Sequence, residues 1–95
     1  MPERRAVVAS KVGLHARPAA LFAKAAGEQQ VKVTITVPGV DGAEDRGPVA
    51  ASSILGLMTL GAKHGDEIVL AAEGEGAEAA LDALAALVAK DLDAD

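Results

Sequence analysis

Cysteine, tryptophan and tyrosine are absent from this chain of 95 residues, and Phe22 is its only aromatic residue. Without cysteine there is neither a disulfide frame nor a thiolate metal site. With one aromatic ring there is no platform on which nucleobases could stack. A net charge of −5 argues further against nucleic acid as a partner. Apolar runs of the ~18 residues needed to cross a bilayer are missing, and the opening Met1-Pro2-Glu3-Arg4-Arg5 is not followed by an apolar signal region. No Walker-type glycine–lysine loop is present, and His15 and His64 lie far apart in sequence without convergent carboxylates. The expectation is a single domain over residues 1–95, cytoplasmic and monomeric, with no metal, no cofactor, no nucleic acid and no membrane insertion.

What is present is aliphatic. Half of the residues are hydrophobic, so the core must be built from Val, Ile, Leu and Ala. Arg4 to Ser10 alternates weakly, with Ala6 and Val8 inward, and reads as a first strand. Ala19, Phe22, Ala23 and Ala26 fall at helical spacing over Ala16 to Ala26, and Gly27 is the stop expected there. Val31 to Val37 alternates without a fault, which predicts a central strand with one buried face. Pro38 to Pro48 reads as a loop, leading to a return strand near Gly47 to Ala50. Ser52 or Ser53 caps a short helix over Ile54 to Leu60. Glu67 to Glu73 is the last strand, with Ile68, Leu70 and Ala72 inward. An alanine-rich helix over Ala77 to Leu92 follows, with Leu81, Leu84 and Val88 as its core stripe and Glu78 and Asp82 in its first turns. Aspartates at 91, 93 and 95 oppose the dipole at the far end, so fraying is expected there. The order is βαββαβα, an α+β sandwich with one antiparallel sheet covered on one side by helices.

Two stretches carry chemistry. The first is Gly13-Leu14-His15-Ala16-Arg17-Pro18-Ala19-Ala20, where a strand hands over to a helix. A histidine at a helix mouth sits beside unpaired backbone amides and the positive end of the dipole, a setting that holds phosphate. Arg17 adds a forked, permanent charge. The helix end and Arg17 both disfavour a protonated imidazole, which keeps a lone pair available for attack. Pro18 is tolerated because its missing N–H falls in the first turn. The second stretch is Ser53 to Gly61, whose Ile54, Leu55, Leu57, Met58 and Leu60 are apolar nearly all round. Two helical turns cannot bury all of these, so an exposed contact patch is expected, though periodicity alone allows Leu55 and Met58 to be core.

Together the two stretches resemble the signature motifs of the HPr family, the histidine-containing phosphocarriers of the phosphoenolpyruvate:sugar phosphotransferase system. The resemblance covers nearly the whole chain. It implies an HPr-like open-faced β-sandwich, four antiparallel strands paired in the order 1-4-2-3 under three helices. It implies a carrier rather than an enzyme: phospho-enzyme I charges His15 at Nδ1, and enzyme IIA components of sugar permeases receive the group. The backbone amides of Ala16 and Arg17 then cradle the phosphate, and partners dock on Ala20, Lys24, Leu55, Met58 and Thr59. Ser53 matches a serine phosphorylated in some relatives by a dedicated HPr kinase, which creates a surface for a transcriptional regulator. An ordinary capping hydroxyl is an equally good reading, because Ser52 stands where regulated relatives commonly carry Lys. Two departures stand out, Val12 in place of a small polar residue and a longer connection at 38–48. Alternatives are an interaction module acting through Ser53 and the apolar patch, or a carrier in a nitrogen or dihydroxyacetone relay.

Overall fold

The computed structural model describes residues 2–9, 13, 16–39 and 42–90. Strands β1 (Glu3–Val7), β2 (Val33–Val37), β3 (Arg46–Ala50) and β4 (Glu67–Ala72) form one antiparallel sheet in the order β1-β4-β2-β3. Helices α1 (Ala16–Gly27), α2 (Ile54–Leu60) and α3 (Ala77–Val88) complete the chain. Helix α3 lies over β1, β4 and β2, α2 lies over β3 and β2, and α1 packs against both other helices. The fold is the open-faced α+β sandwich expected, strand order included.

Burial explains the arrangement. Val33, Ile35 and Val37 of β2 and Ile68, Leu70 and Ala72 of β4 are buried, and the residues between them are half-buried. Phe22 meets this layer fully buried with Ala19, Ala23 and Ala26, and Leu81, Leu84 and Val88 arrive from α3. A Phe, Leu or Ile side chain contributes about 1.5–3 kcal/mol when fully buried, and the small alanines let α1 come close. The ring of Pro18 is also buried, so it joins the core besides fitting the first turn.

Several element ends differ from the sequence expectation, and at β1 and α3 tertiary bonds compete with local pattern. The first strand stops at Val7, not Ser10. Val8 instead exchanges backbone bonds with the turn before β4: its N–H donates to Asp66 O and its carbonyl accepts from Gly65 N–H, both at 2.9 Å. Ala9 N–H donates to Val88 O at the end of α3. Ser10 lies outside the described residues. Helix α3 ends at Val88 rather than Leu92, closed by a bond from Lys90 N–H to Leu87 O; residues 91–95, with their expected fraying, lie outside the described range. The second strand begins at Val33, and Val31 is only half-buried.

Helix α1 ends at Gly27, the stop expected, with no left-handed glycine conformation there. Tight bonds from Glu28 N–H to Ala25 O and Gln29 N–H to Ala26 O close it, and the Gln29 side-chain amide also donates to Ala25 O. In the 38–48 connection, Asp45 accepts from Gly39 N–H at 2.7 Å. The register between β2 and β3 slips by one residue before Arg46, and Pro48, which has no N–H to give, sits on this edge strand.

The other edge carries a charge on the same face as Ala6. Arg4 pairs with Leu70 across the sheet and therefore lies on the helix-covered face. Its guanidinium reaches Asp82 at 2.8 Å and Glu78 at 3.4 Å on α3. The hydrogen bond and charge of Asp82 raise the Arg4 pKa further above its ordinary value. Glu78 and Asp82 thus serve as anchors for β1 as well as dipole partners. An inward charge on an edge strand also discourages pairing with another chain.

Candidate functional site

His15, the residue on which the functional reading turns, lies outside the described residues, as do Lys11, Val12 and Leu14. Gly13 and Ala16, on either side of it in sequence, are described. Ala16 opens α1 immediately after it, so the helix begins where the motif requires. Arg17 is exposed one residue further on, and Pro18 is sealed in the core beneath it.

Gly13, two residues before His15, is buried with φ +74°, in the region that favours glycine. Glycine ahead of a phosphate-binding helix mouth suggests backbone freedom for the chain to come close to the phosphate site. The close approach seen is to protein: a Cβ built on Gly13 would lie 2.2 Å from Ala62 O and 2.9 Å from Lys63 Cα. The glycine is required because the chain at residue 13 is pressed against the exit of α2. No signal local to either segment announces that contact.

The turn behind Gly13 is organised by Asp66. Its carboxylate accepts from Lys63 N–H at 2.9 Å, and its own N–H donates to Lys63 O at 2.9 Å. His64 is exposed in this turn, as expected for a solvent-facing residue.

Helix α2 resolves both choices the sequence left open. Ser53, not Ser52, is the cap, with its Oγ accepting from Gly56 N–H at 3.0 Å. Gly61 closes the far end in the left-handed conformation, donating to Met58 O. Leu57 and Leu60 are buried, whereas Leu55 is 72% exposed, Ile54 47% and Met58 36%. Leu55 and Met58 are therefore surface residues, not core. Thr59 is exposed, and its hydroxyl donates back to Gly56 O at 2.8 Å.

On the adjoining α1, Ala20 and Lys24 are exposed, and so is Leu21, at 41%. The expected docking residues thus sit on the outward faces of two helices in mutual contact. Leu21 and Ile54 enlarge the apolar patch beyond the expected set. Leu21 could have been found from its spacing, three residues before Lys24 on the same helical face. Residues 13–27 and 46–63 contain Arg17, Lys24, Arg46 and Lys63 and not one Asp or Glu. The acids all lie in the remaining segments, so the helical face near the site is basic on a protein whose net charge is −5.

Ser53 is accounted for as a structural cap. Replacing it by Ala should cost about 1 kcal/mol, a fall of roughly 4–8 °C in Tm for a domain of this size. Ser53→Asp should keep most of that stability, because a carboxylate accepts the same amide. Thermal unfolding of both variants checks this.

The architecture and the motif-bearing helix define a class of small phosphoryl carriers, and comparison with known proteins agrees. The family model described as the PTS HPr component phosphorylation site matches residues 2–90. The phosphocarrier protein HPr of Streptomyces coelicolor is 50% identical over 93 residues, covering 98% of this chain and 94% of that protein. The phosphocarrier protein NPr of Shewanella violacea is 40% identical, covering 90% of this chain and 87% of its own. Among solved structures, HPr of Thermoanaerobacter tengcongensis superposes with a TM-score of 0.80 at 35% identity, covering 100% of this chain and 99% of that one. The chain belongs to the HPr family of phosphocarriers. Among the described residues no helix is long and apolar enough to cross a membrane.

Proposed function

We propose that this chain accepts a phosphoryl group on His15 from phospho-enzyme I and hands it to enzyme IIA components of sugar permeases. The observation that carries the reading is the family's phosphorylation-site model aligned over residues 2–90, with α1 starting directly after His15. The transfer is a balanced exchange: one P–N bond on the donor imidazole breaks as another forms on the neutral His15 ring. The lone pair freed on the donor nitrogen is the counterpart of the one used by His15. Little covalent work falls to the protein, which supplies position and charge. The amides of Ala16 and Arg17 and the Arg17 guanidinium are suited to hold the phosphate oxygens. The exposed apolar patch with its basic rim suits an acidic partner surface, and electrostatic steering would raise the encounter rate.

Incubation with enzyme I and labelled phosphoenolpyruvate should give an acid-labile, alkali-stable phosphoprotein, and His15→Ala should take no label. Label retained in His15→Ala overturns the reading. Subsequent addition of enzyme IIA from a sugar permease or from a nitrogen relay separates the two destinations. Faster discharge to the sugar component is expected, and faster discharge to the nitrogen component would assign the chain to that branch.

A further inference from the structure

Asp66 stands outside the motifs of the family signature and far from His15 in sequence, yet it organises the structure behind the site loop. Its carboxylate accepts from Lys63 N–H and its backbone N–H donates to Lys63 O, closing the turn over residues 63–66. Its carbonyl takes Val8 N–H, and Gly65 N–H in the same turn donates to Val8 O. The face of that turn formed by Ala62 O and Lys63 Cα is what Gly13 packs against with no room for a side chain. One turn thus fixes the chain at Val8 and again at Gly13, on the approach to His15.

We propose that Asp66 is a positioning residue for phosphoryl transfer. Acting through the Lys63 backbone, it holds the wall that seats Gly13, two residues before His15. The inference rests on the carrier reading. Its cause is geometric: transfer between two imidazoles tolerates little misplacement, and an error of about 1 Å can cost up to ~100-fold in rate. The feature that matters is the acceptor oxygen at Lys63 N–H and not the negative charge. Among the described residues the cation paired with the carboxylate is Arg46, at 3.8 Å, beyond hydrogen-bond reach and half-exposed.

The test therefore inverts charge and geometry. Asp66→Asn keeps an acceptor oxygen in place and removes the charge. Asp66→Glu keeps the charge and displaces the oxygen by a methylene. With enzyme I and labelled phosphoenolpyruvate, Asp66→Glu should lower the maximal rate of His15 phosphorylation by about tenfold with KM for enzyme I unchanged, since the docking helices are untouched. Asp66→Asn should stay within about twofold of wild type, because its amide oxygen accepts the same N–H. Hydrogen exchange at Lys63 and Gly13 should quicken in the Glu variant only. Equal rates for wild type, Asn and Glu, or a slow Asn beside a fast Glu, overturn the inference. Should Asp66→Glu prove too unstable to assay, a slow, well-folded Asp66→Asn overturns it and a fast one with unchanged Lys63 exchange supports it. A wild type that takes no label sinks the carrier reading instead, so the two failures are distinct.

Discussion

Gly13→Ala should destabilise this protein by about 2–5 kcal/mol. The estimate has two parts with separate causes. An alanine at φ +74° carries the left-handed backbone cost of roughly 1–2 kcal/mol. The new Cβ also meets Ala62 O at 2.2 Å and Lys63 Cα at 2.9 Å, and both are backbone atoms that cannot rotate away. Overpacking of this kind typically costs a further 1–3 kcal/mol. Relief by moving the 62–66 turn would break its bonds to Val8 and the Asp66 link to Lys63. Gly65→Ala is the matched comparison, since Gly65 has φ +89° but open space where its Cβ would go. It should show the backbone part alone, about 1–2 kcal/mol. Urea unfolding of both variants measures the difference; equal losses would show that the contact at Ala62 has no energetic weight. Because stability totals about 5–15 kcal/mol for such domains, Gly13→Ala should also slow His15 labelling at temperatures where the fold persists.

The same glycine shows where sequence reading stops. The β2 alternation and the Phe22 helix face were legible because they repeat with the period of their own element, and burial selects that period directly. The ends of β1 and α3 were not, because Val8 and Ala9 bond to Asp66, Gly65 and Val88, far away in the chain. Position 13 was legible only as part of the motif; the reason it must be glycine lay across the fold at Ala62. The partners of Arg4 were hidden for a related reason: the alternation puts it on the face of Ala6, but only the fold brings Glu78 and Asp82 of α3 over it. At the site itself, the 13–20 motif carried its chemistry in residue types and spacing, which is why a family was recognisable from the chain alone. The patch on α2 was half legible, since excess apolar residues on two turns implied exposure without saying which would be exposed.

Leu55→Asp should raise KM for enzyme I by about 30-fold or more while leaving folding stability within about 0.5 kcal/mol of wild type. The stability half follows from position. Leu55 is 72% exposed, so it has little burial to lose. As the second residue of α2 it places the new charge in the first turn, where the dipole offsets the poorer helix propensity of aspartate. The binding half follows from surroundings. Ile54, Met58 and Leu21 expose apolar surface on the same pair of helices, and a contact residue among these fits the description of a binding hot spot, worth 2 kcal/mol or more. The charge sign adds to the loss, because the acid-free stretches 13–27 and 46–63 would gain their first carboxylate on the face meant for an acidic partner. Leu55→Ala should therefore lose less than Leu55→Asp, and raising salt should narrow the gap between them. Val7→Thr supplies the control: Val7 is also large, apolar and 52% exposed, but it lies on β1 at the edge of the sheet, away from α1 and α2. If Val7→Thr raises KM as much as Leu55→Asp does, the partner does not dock on the helices and this face must be given up.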